Sequence, residues 1–158
     1  MKLMVVLGGG GHTEQMLKLV NMLGKKFEYI YVITNDDKVS KKRIEIEGKI
    51  YEVKKAVMPY RSILTIPFTM AINFFQSFLL YLRERPNAII SSGPGTAITI
   101  SFIGKIFRSK VIFIESWSRV KNPSGSGKII YKFADLFFVQ WETLKKIYPK
   151  AIFAGRLS

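Results

Sequence analysis

Apolar and polar positions along this chain follow two alternating rhythms. Residues 3–7 (LMVVL) form an unbroken apolar run that stops at Gly8, Gly9, Gly10 and Gly11, the pattern of a strand covered on both faces and ended by a glycine loop. Met16, Leu17, Leu19, Val20 and Leu23 then recur at helical spacing, which predicts a helix from Thr13 and Glu14 to a stop at Gly24. Residues 27–33 (FEYIYVI) read as a second strand, closed by Thr34, Asn35, Asp36 and Asp37. Strand, helix and strand in that order begin a parallel, doubly wound sheet.

Residues 38–61 are charged and irregular, with a weak strand at 49–53, and are expected to form a surface excursion. Residues 62–82 carry no charge, although Arg61 precedes them and Arg83, Glu84 and Arg85 follow. That length suffices for a bilayer span. Asn73, Gln76 and Ser77 nevertheless gather roughly on one side and Pro67 stands near the start, so the segment reads as an amphipathic helix. Three destinations stay open for it: packed on the sheet, lying in a membrane interface, or crossing the membrane. After Pro86, strands at 87–91, 111–114, 136–139 and 151–153 alternate with helices at 96–107, 127–133 and 141–147. The expected fold is α/β: one Rossmann-like domain over 1–158, a parallel sheet with helices on both faces.

Composition narrows the partners. With 25 Lys and Arg against 11 Asp and Glu, the chain carries a formal charge of +14, more than solubility asks of a small domain, so its partners are expected to be anionic. Nucleic acid, an acidic membrane and a diphosphate would each serve. The 48% apolar content favours a membrane surface with a diphosphate, and no aromatic and basic interleaving points to nucleic acid. The absence of cysteine excludes disulfides and thiolate metal sites. The first apolar run is too short for a signal peptide, which places the chain in the cytoplasm or on the cytoplasmic face of a membrane.

In an open parallel sheet, ligands bind at the carboxyl ends of the strands, where glycine turns bare backbone N–H groups. Three segments fall there: 8–13, 91–96 and 115–127. The first is a poor dinucleotide fingerprint, because a G-x-G-x-x-G begun at Gly8 meets Thr13 in its last place and one begun at Gly9 meets Glu14. A soluble nicotinamide-binding oxidoreductase, with Asp36 or Asp37 on a ribose, remains the alternative reading. Gly125, Ser126, Gly127 and Lys128 resemble a P-loop only superficially, since Asn122 and Ile129 occupy its first glycine and its hydroxyl position. His12, the one histidine, follows the glycine loop at a helix start, where a neutral imidazole could take a proton from a hydroxyl. No spaced carboxylate pair of the metal-binding kind follows a strand, so neither metal nor cofactor is expected.

The blocks GGGGHTEQM, RPNAIISSGPGTAITI, VIFIESWSRVKNPSGSGKIIYKFADLFFVQW and YPKAIFAG resemble the membrane-recruiting, acceptor-side subunit of the two-chain N-acetylglucosaminyltransferase of asparagine-linked glycosylation, and its bacterial polysaccharide relatives. That family is similar in turn to the N-terminal half of the lipid II-forming transferases of GT-B architecture. The resemblance implies a heteromeric glycosyltransferase, inactive as a single chain. This chain would hold a polyprenyl-diphosphate-linked sugar, and a donor-binding partner subunit, docked partly on residues 155–158, would bring a UDP-sugar. It implies His12 and Glu115 as catalytic candidates. Gly9, Gly10, Gly11 and Thr13 would form the first substrate-binding loop, and Gly93, Pro94, Gly95 and Thr96 the second. Ser116 and Arg119 would line the cleft between subunits with Glu115. Members from eukaryotes carry an N-terminal span, whereas this sequence starts at its first strand, so attachment is expected from the basic surface and residues 63–82.

Overall fold

The computed structural model describes residues 1–37, 39–55 and 66–157. Seven strands form one parallel sheet: β1 (Lys2–Val6), β2 (Glu28–Thr34), β3 (Gly48–Val53), β4 (Ala88–Ser91), β5 (Lys110–Ile114), β6 (Leu136–Val139) and β7 (Ile152–Phe153). Their order is β3-β2-β1-β4-β5-β6-β7. Every neighbouring pair is parallel, with Val5 of β1 registered to Tyr31 of β2 and to Ile90 of β4. The direction of winding therefore reverses between β1 and β4, and the crevice of a doubly wound sheet opens at that reversal.

Leu3 to Leu7 are all buried, as the unbroken apolar run requires. Alternate residues of that strand feed two cores. Met4 and Val6 pack with Leu80, Ile100, Ile103 and Ile130 on one face; Leu3, Val5 and Leu7 pack with Met16, Leu17 and Val20 on the other. The helices divide unequally. α2 (Ile66–Glu84), α3 (Gly95–Ile106) and α4 (Gly125–Ile130) cover the first face, and α1 (Gly10–Leu23) covers the second.

Boundaries differ from the sequence reading where glycine or a short turn sets them. α1 begins at Gly10 rather than Thr13, because Gly9 (φ 74°) serves as its N-cap residue and turns the chain before the first periodic side chain. The last predicted helix is a 3₁₀ turn over Glu142–Lys146, and α4 stops at Ile130, short of Phe133. The excursion after β2 contains a 3₁₀ turn at Ser40–Arg43, and the weak strand is a true edge strand, β3. Residues 56–65, including the start of the uncharged segment, lie outside the described residues.

From Ile66 onward the uncharged segment is a helix whose amphipathicity runs opposite to convention. Asn73, Ser77, Leu80, Tyr81 and Glu84 point inward, while Phe68, Met70, Phe74, Phe75, Leu79 and Leu82 are exposed. Gln76 stays on the outer side and accepts the backbone N–H of Lys54. Phe102, Ile106 and Phe107 of the adjoining α3 region extend the apolar face, with Phe107 ringed by Phe78 and Tyr81. Among the described residues no helix is long and apolar enough to cross a membrane.

Candidate functional site

The loops after β1, β4 and β5, three adjacent central strands, meet at the carboxyl rim. Their contacts are close enough to dictate residue size. A methyl group added to Gly8 would stand 2.6 Å from Cβ of Pro94, so the first loop presses directly on the second. Gly93 has φ 133°, and a methyl there would stand 3.0 Å from Cε1 of His12. Only glycine fits that backbone and that gap.

His12 lies in the first turn of α1, half-buried, with its carbonyl accepting from Ser92 Oγ at 3.1 Å. Its Nδ1 is buried and lacks a hydrogen-bond partner. Burial holds its pKa below the usual 6.5, and the nearby Arg119 charge adds to this, against the Ser92 interaction and the Glu115 charge. The imidazole is thus a neutral acceptor at pH 7. Ser91 Oγ and Thr96 Oγ1, at either end of the second loop, are likewise buried without partners. Three orphaned polar atoms around one pair of loops mark a place where a polar ligand would complete the bonding.

The other predicted site residues divide into those that face the rim and those beneath it. Gly9, Gly10 and Gly11 lead into and open α1, with Gly10 and Gly11 exposed; Pro94 is the N-cap residue of α3, and Gly95 opens that helix. Thr13 is buried and works on the loop itself: its Oγ1 accepts the Gly9 N–H at 3.0 Å and pairs with Ser40 Oγ at 2.7 Å, which in turn is bonded to Asp37. Arg119 is exposed on the third loop.

Glu115 was expected to line the cleft, yet it is fully buried. One carboxylate oxygen accepts the Ser116 N–H and the other accepts Ser124 N–H and Tyr148 OH, each at 3.1–3.3 Å. Burial, together with the Glu115 charge and hydrogen bond, pushes the Tyr148 hydroxyl well above its usual range. Gly127 is glycine because any side chain would strike Glu115, which gives the Gly-Ser-Gly-Lys segment a packing role. Ser116 is buried as well, its Oγ bonded to Gln15 and paired with Ser118 Oγ. Sequence reasoning missed Gln15 and Gln140, since a lone glutamine carries no motif. Among the described residues no group of three or more His, Asp or Glu is placed to hold a metal ion.

A seven-stranded parallel sheet with glycine loops gathered at its switch point is a Rossmann-like fold, of the kind that forms each half of the GT-B architecture. The MurG structure from Acinetobacter baumannii has the same fold, with a TM-score of 0.75 at 12% identity over 90% of this chain and 42% of that one. The chain belongs to the Alg14-like family of oligosaccharide biosynthesis proteins, whose profile matches residues 3–157. It is 33% identical over 180 residues to the mouse (Mus musculus) UDP-N-acetylglucosamine transferase subunit ALG14, covering 99% of this chain and 83% of the relative. The Schizosaccharomyces pombe subunit of that name is 34% identical over 171 residues, with 97% and 81% covered. The nicotinamide alternative gains nothing from these relatives or from the broken glycine fingerprint.

Proposed function

We propose that this chain is the acceptor-side subunit of a heteromeric glycosyltransferase. It holds a polyprenyl-diphosphate-linked sugar at the cytoplasmic face of a membrane, while a donor-binding subunit supplies UDP-N-acetylglucosamine. The observation that carries the reading is the rim itself: a neutral, partnerless His12 nitrogen set against two glycine loops whose backbone can approach a diphosphate. In the step proposed, a hydroxyl of the acceptor sugar attacks the anomeric carbon of the donor from the face opposite UDP. The new C–O bond forms as the bond to UDP breaks, and His12 takes the hydroxyl proton. Arg119 and the N–H groups of Gly10, Gly11, Gly93, Gly95 and Thr96 favour the acceptor diphosphate. Glu115, sunk beneath the third loop, supports that loop and the charge on His12.

Two surfaces support the partners. The apolar outer face of α2 suits a membrane interface: each Phe or Leu fully buried there contributes about 1.5–3 kcal/mol, and each nearby Lys or Arg roughly 1 kcal/mol against anionic lipid. Several of each suffice for peripheral attachment without a span. On the opposite sheet face, an apolar groove of about 450 Å³ runs over β4, β5 and β6, floored by Ile90, Ile112 and Phe138 and rimmed by Met22, Arg156 and Leu157. The donor-binding subunit docks there and on residues 155–157, with Ser158 outside the described residues. Reconstitution tests the reading: the chain plus a donor-binding subunit, UDP-N-acetylglucosamine and a polyprenyl-diphosphate acceptor should give product, and each protein alone should not. Robust turnover by this chain alone refutes it.

A further inference from the structure

Beneath the rim, two side-chain carboxamides connect the first loop, the third loop and the C-terminal stretch. Gln15 and Gln140 are each 2% exposed. Gln15 Nε2 donates to the Gly11 carbonyl at 3.2 Å and to Ser116 Oγ at 3.3 Å. Its Oε1 accepts the Trp117 backbone N–H at 3.2 Å and Gln140 Nε2 at 2.7 Å. Gln140 Nε2 donates also to the Glu115 carbonyl at 3.0 Å, and its Oε1 accepts the Leu157 N–H at 2.7 Å. The network fixes which way each amide points, because turning Gln140 over would set its NH₂ against the Leu157 N–H and its oxygen against two other oxygens.

We propose that Gln15 and Gln140 are positioning residues that tie residues 155–157 to both halves of the acceptor cleft. Seating of the donor-binding subunit on that stretch is thereby transmitted to the backbone of Gly11, Glu115 and Trp117. This rests on the docking place read above. The physical link is continuous: Leu157 N–H holds Gln140, Gln140 holds Gln15, and Gln15 holds the first loop against the third. His12 follows Gly11 in the same helical turn, so a shift of the Gly11 carbonyl moves the imidazole. A buried amide that loses one partner must find another or remain desolvated and unpaired, so the arrangement responds as a unit.

A double-variant cycle tests this. Leu157→Pro deletes the N–H that Gln140 accepts, and Gln140→Leu deletes the acceptor. In the reconstituted pair each should lower kcat by about tenfold or more while the donor KM moves by less than about twofold, and the double variant should be no worse than the worse single. In the chain without its partner, amide exchange at Trp117 should quicken in Leu157→Pro, with no further gain when Gln140→Leu is already present. Gln15→Leu, which deletes both the acceptor of the Trp117 N–H and the donor to the Gly11 carbonyl, should quicken it too and serves if the double variant does not fold. Additive losses, an unchanged kcat, or unchanged Trp117 exchange in Leu157→Pro overturns the inference. A wild-type pair without turnover counts against the functional reading alone, because the exchange measurement needs no partner.

Discussion

His12 combines a crowded neighbourhood with an unfilled bond, and both bear on its chemistry. Its helix-start position suggested a neutral imidazole from sequence, but the structure assigns the larger part of the lowered pKa to burial. His12→Ala should reduce kcat of the reconstituted pair by about 10²–10⁴-fold, the usual range for a lost general base, while circular dichroism melting stays near wild type. The sign of the pH dependence follows from the same surroundings. Below its lowered pKa the imidazole is protonated and cannot accept the hydroxyl proton, so the acid limb of kcat/KM should fall below pH 6.5. Arg119 contributes to the lowering, and Arg119→Ala should therefore move that limb to higher pH. A limb that stays in place, or moves downward, in the Arg119→Ala profile would remove His12 from the base role. Gly93 adds a steric check: Gly93→Ala combines a φ of 133° with a 3.0 Å approach to the ring, and a melting temperature equal to wild type would contradict that crowding.

At the scale of elements, the inner strands were legible because they read as continuous apolar runs, whereas of the edge strands β3 is partly exposed and β7 exposed; β1, β2 and β6 lie within a residue of their expected limits. The helix starts were less legible, because glycine has no side chain with which to enter a periodic pattern, and Gly9 and Gly10 turn with positive φ. The direction of α2 was the deeper ambiguity. Amphipathicity says that one side is polar, but not which side meets water, and here Asn73 and Ser77 are the buried ones. Replacing Phe75 and Leu79 together with Glu should abolish flotation with anionic vesicles and leave the melting temperature unchanged or higher, since both side chains are exposed. Retained flotation would move the membrane contact elsewhere. The inner end of the same helix is held by Glu84, which receives Lys49 Nζ at 3.1 Å and Lys2 Nζ at 3.5 Å. Burial alone would raise its pKa, but the Tyr51 and Lys49 hydrogen bonds and the two lysine charges outweigh it and hold it below 4.5. A carboxylate whose folded pKa is depressed stabilises the fold above its unfolded pKa and loses that stabilisation as pH falls through the folded value. Glu84→Gln should thus cost about 1–3 kcal/mol at pH 7, and the gap to wild type should close in urea titrations taken progressively below pH 4.5.

For the whole molecule, fold and rim follow from one topological fact: the winding reverses between β1 and β4, bringing the loops of residues 8–13, 91–96 and 115–124 to neighbouring strand ends. Glycine placement made the first two of those loops visible in the sequence. Long-range ties such as Gln15 to Gln140 were not visible, since they join residues 125 apart in the chain that only the folded sheet brings together. The unequal division of helices is equally a property of the assembled sheet. α1 shields β1 and β2 on its side, and the neighbouring surface over β4 to β6 stays apolar and open. A charge placed at the rim of that groove separates docking from folding. Met22 is 71% exposed, so Met22→Glu leaves the core untouched and should leave melting within a degree or two of wild type. If the donor-binding subunit covers the groove, however, the carboxylate is desolvated on association, and the Kd measured by titration calorimetry should weaken by about tenfold or more. Equal affinity for the wild-type and Met22→Glu chains would place the partner on another surface and detach the C-terminal stretch from its proposed role.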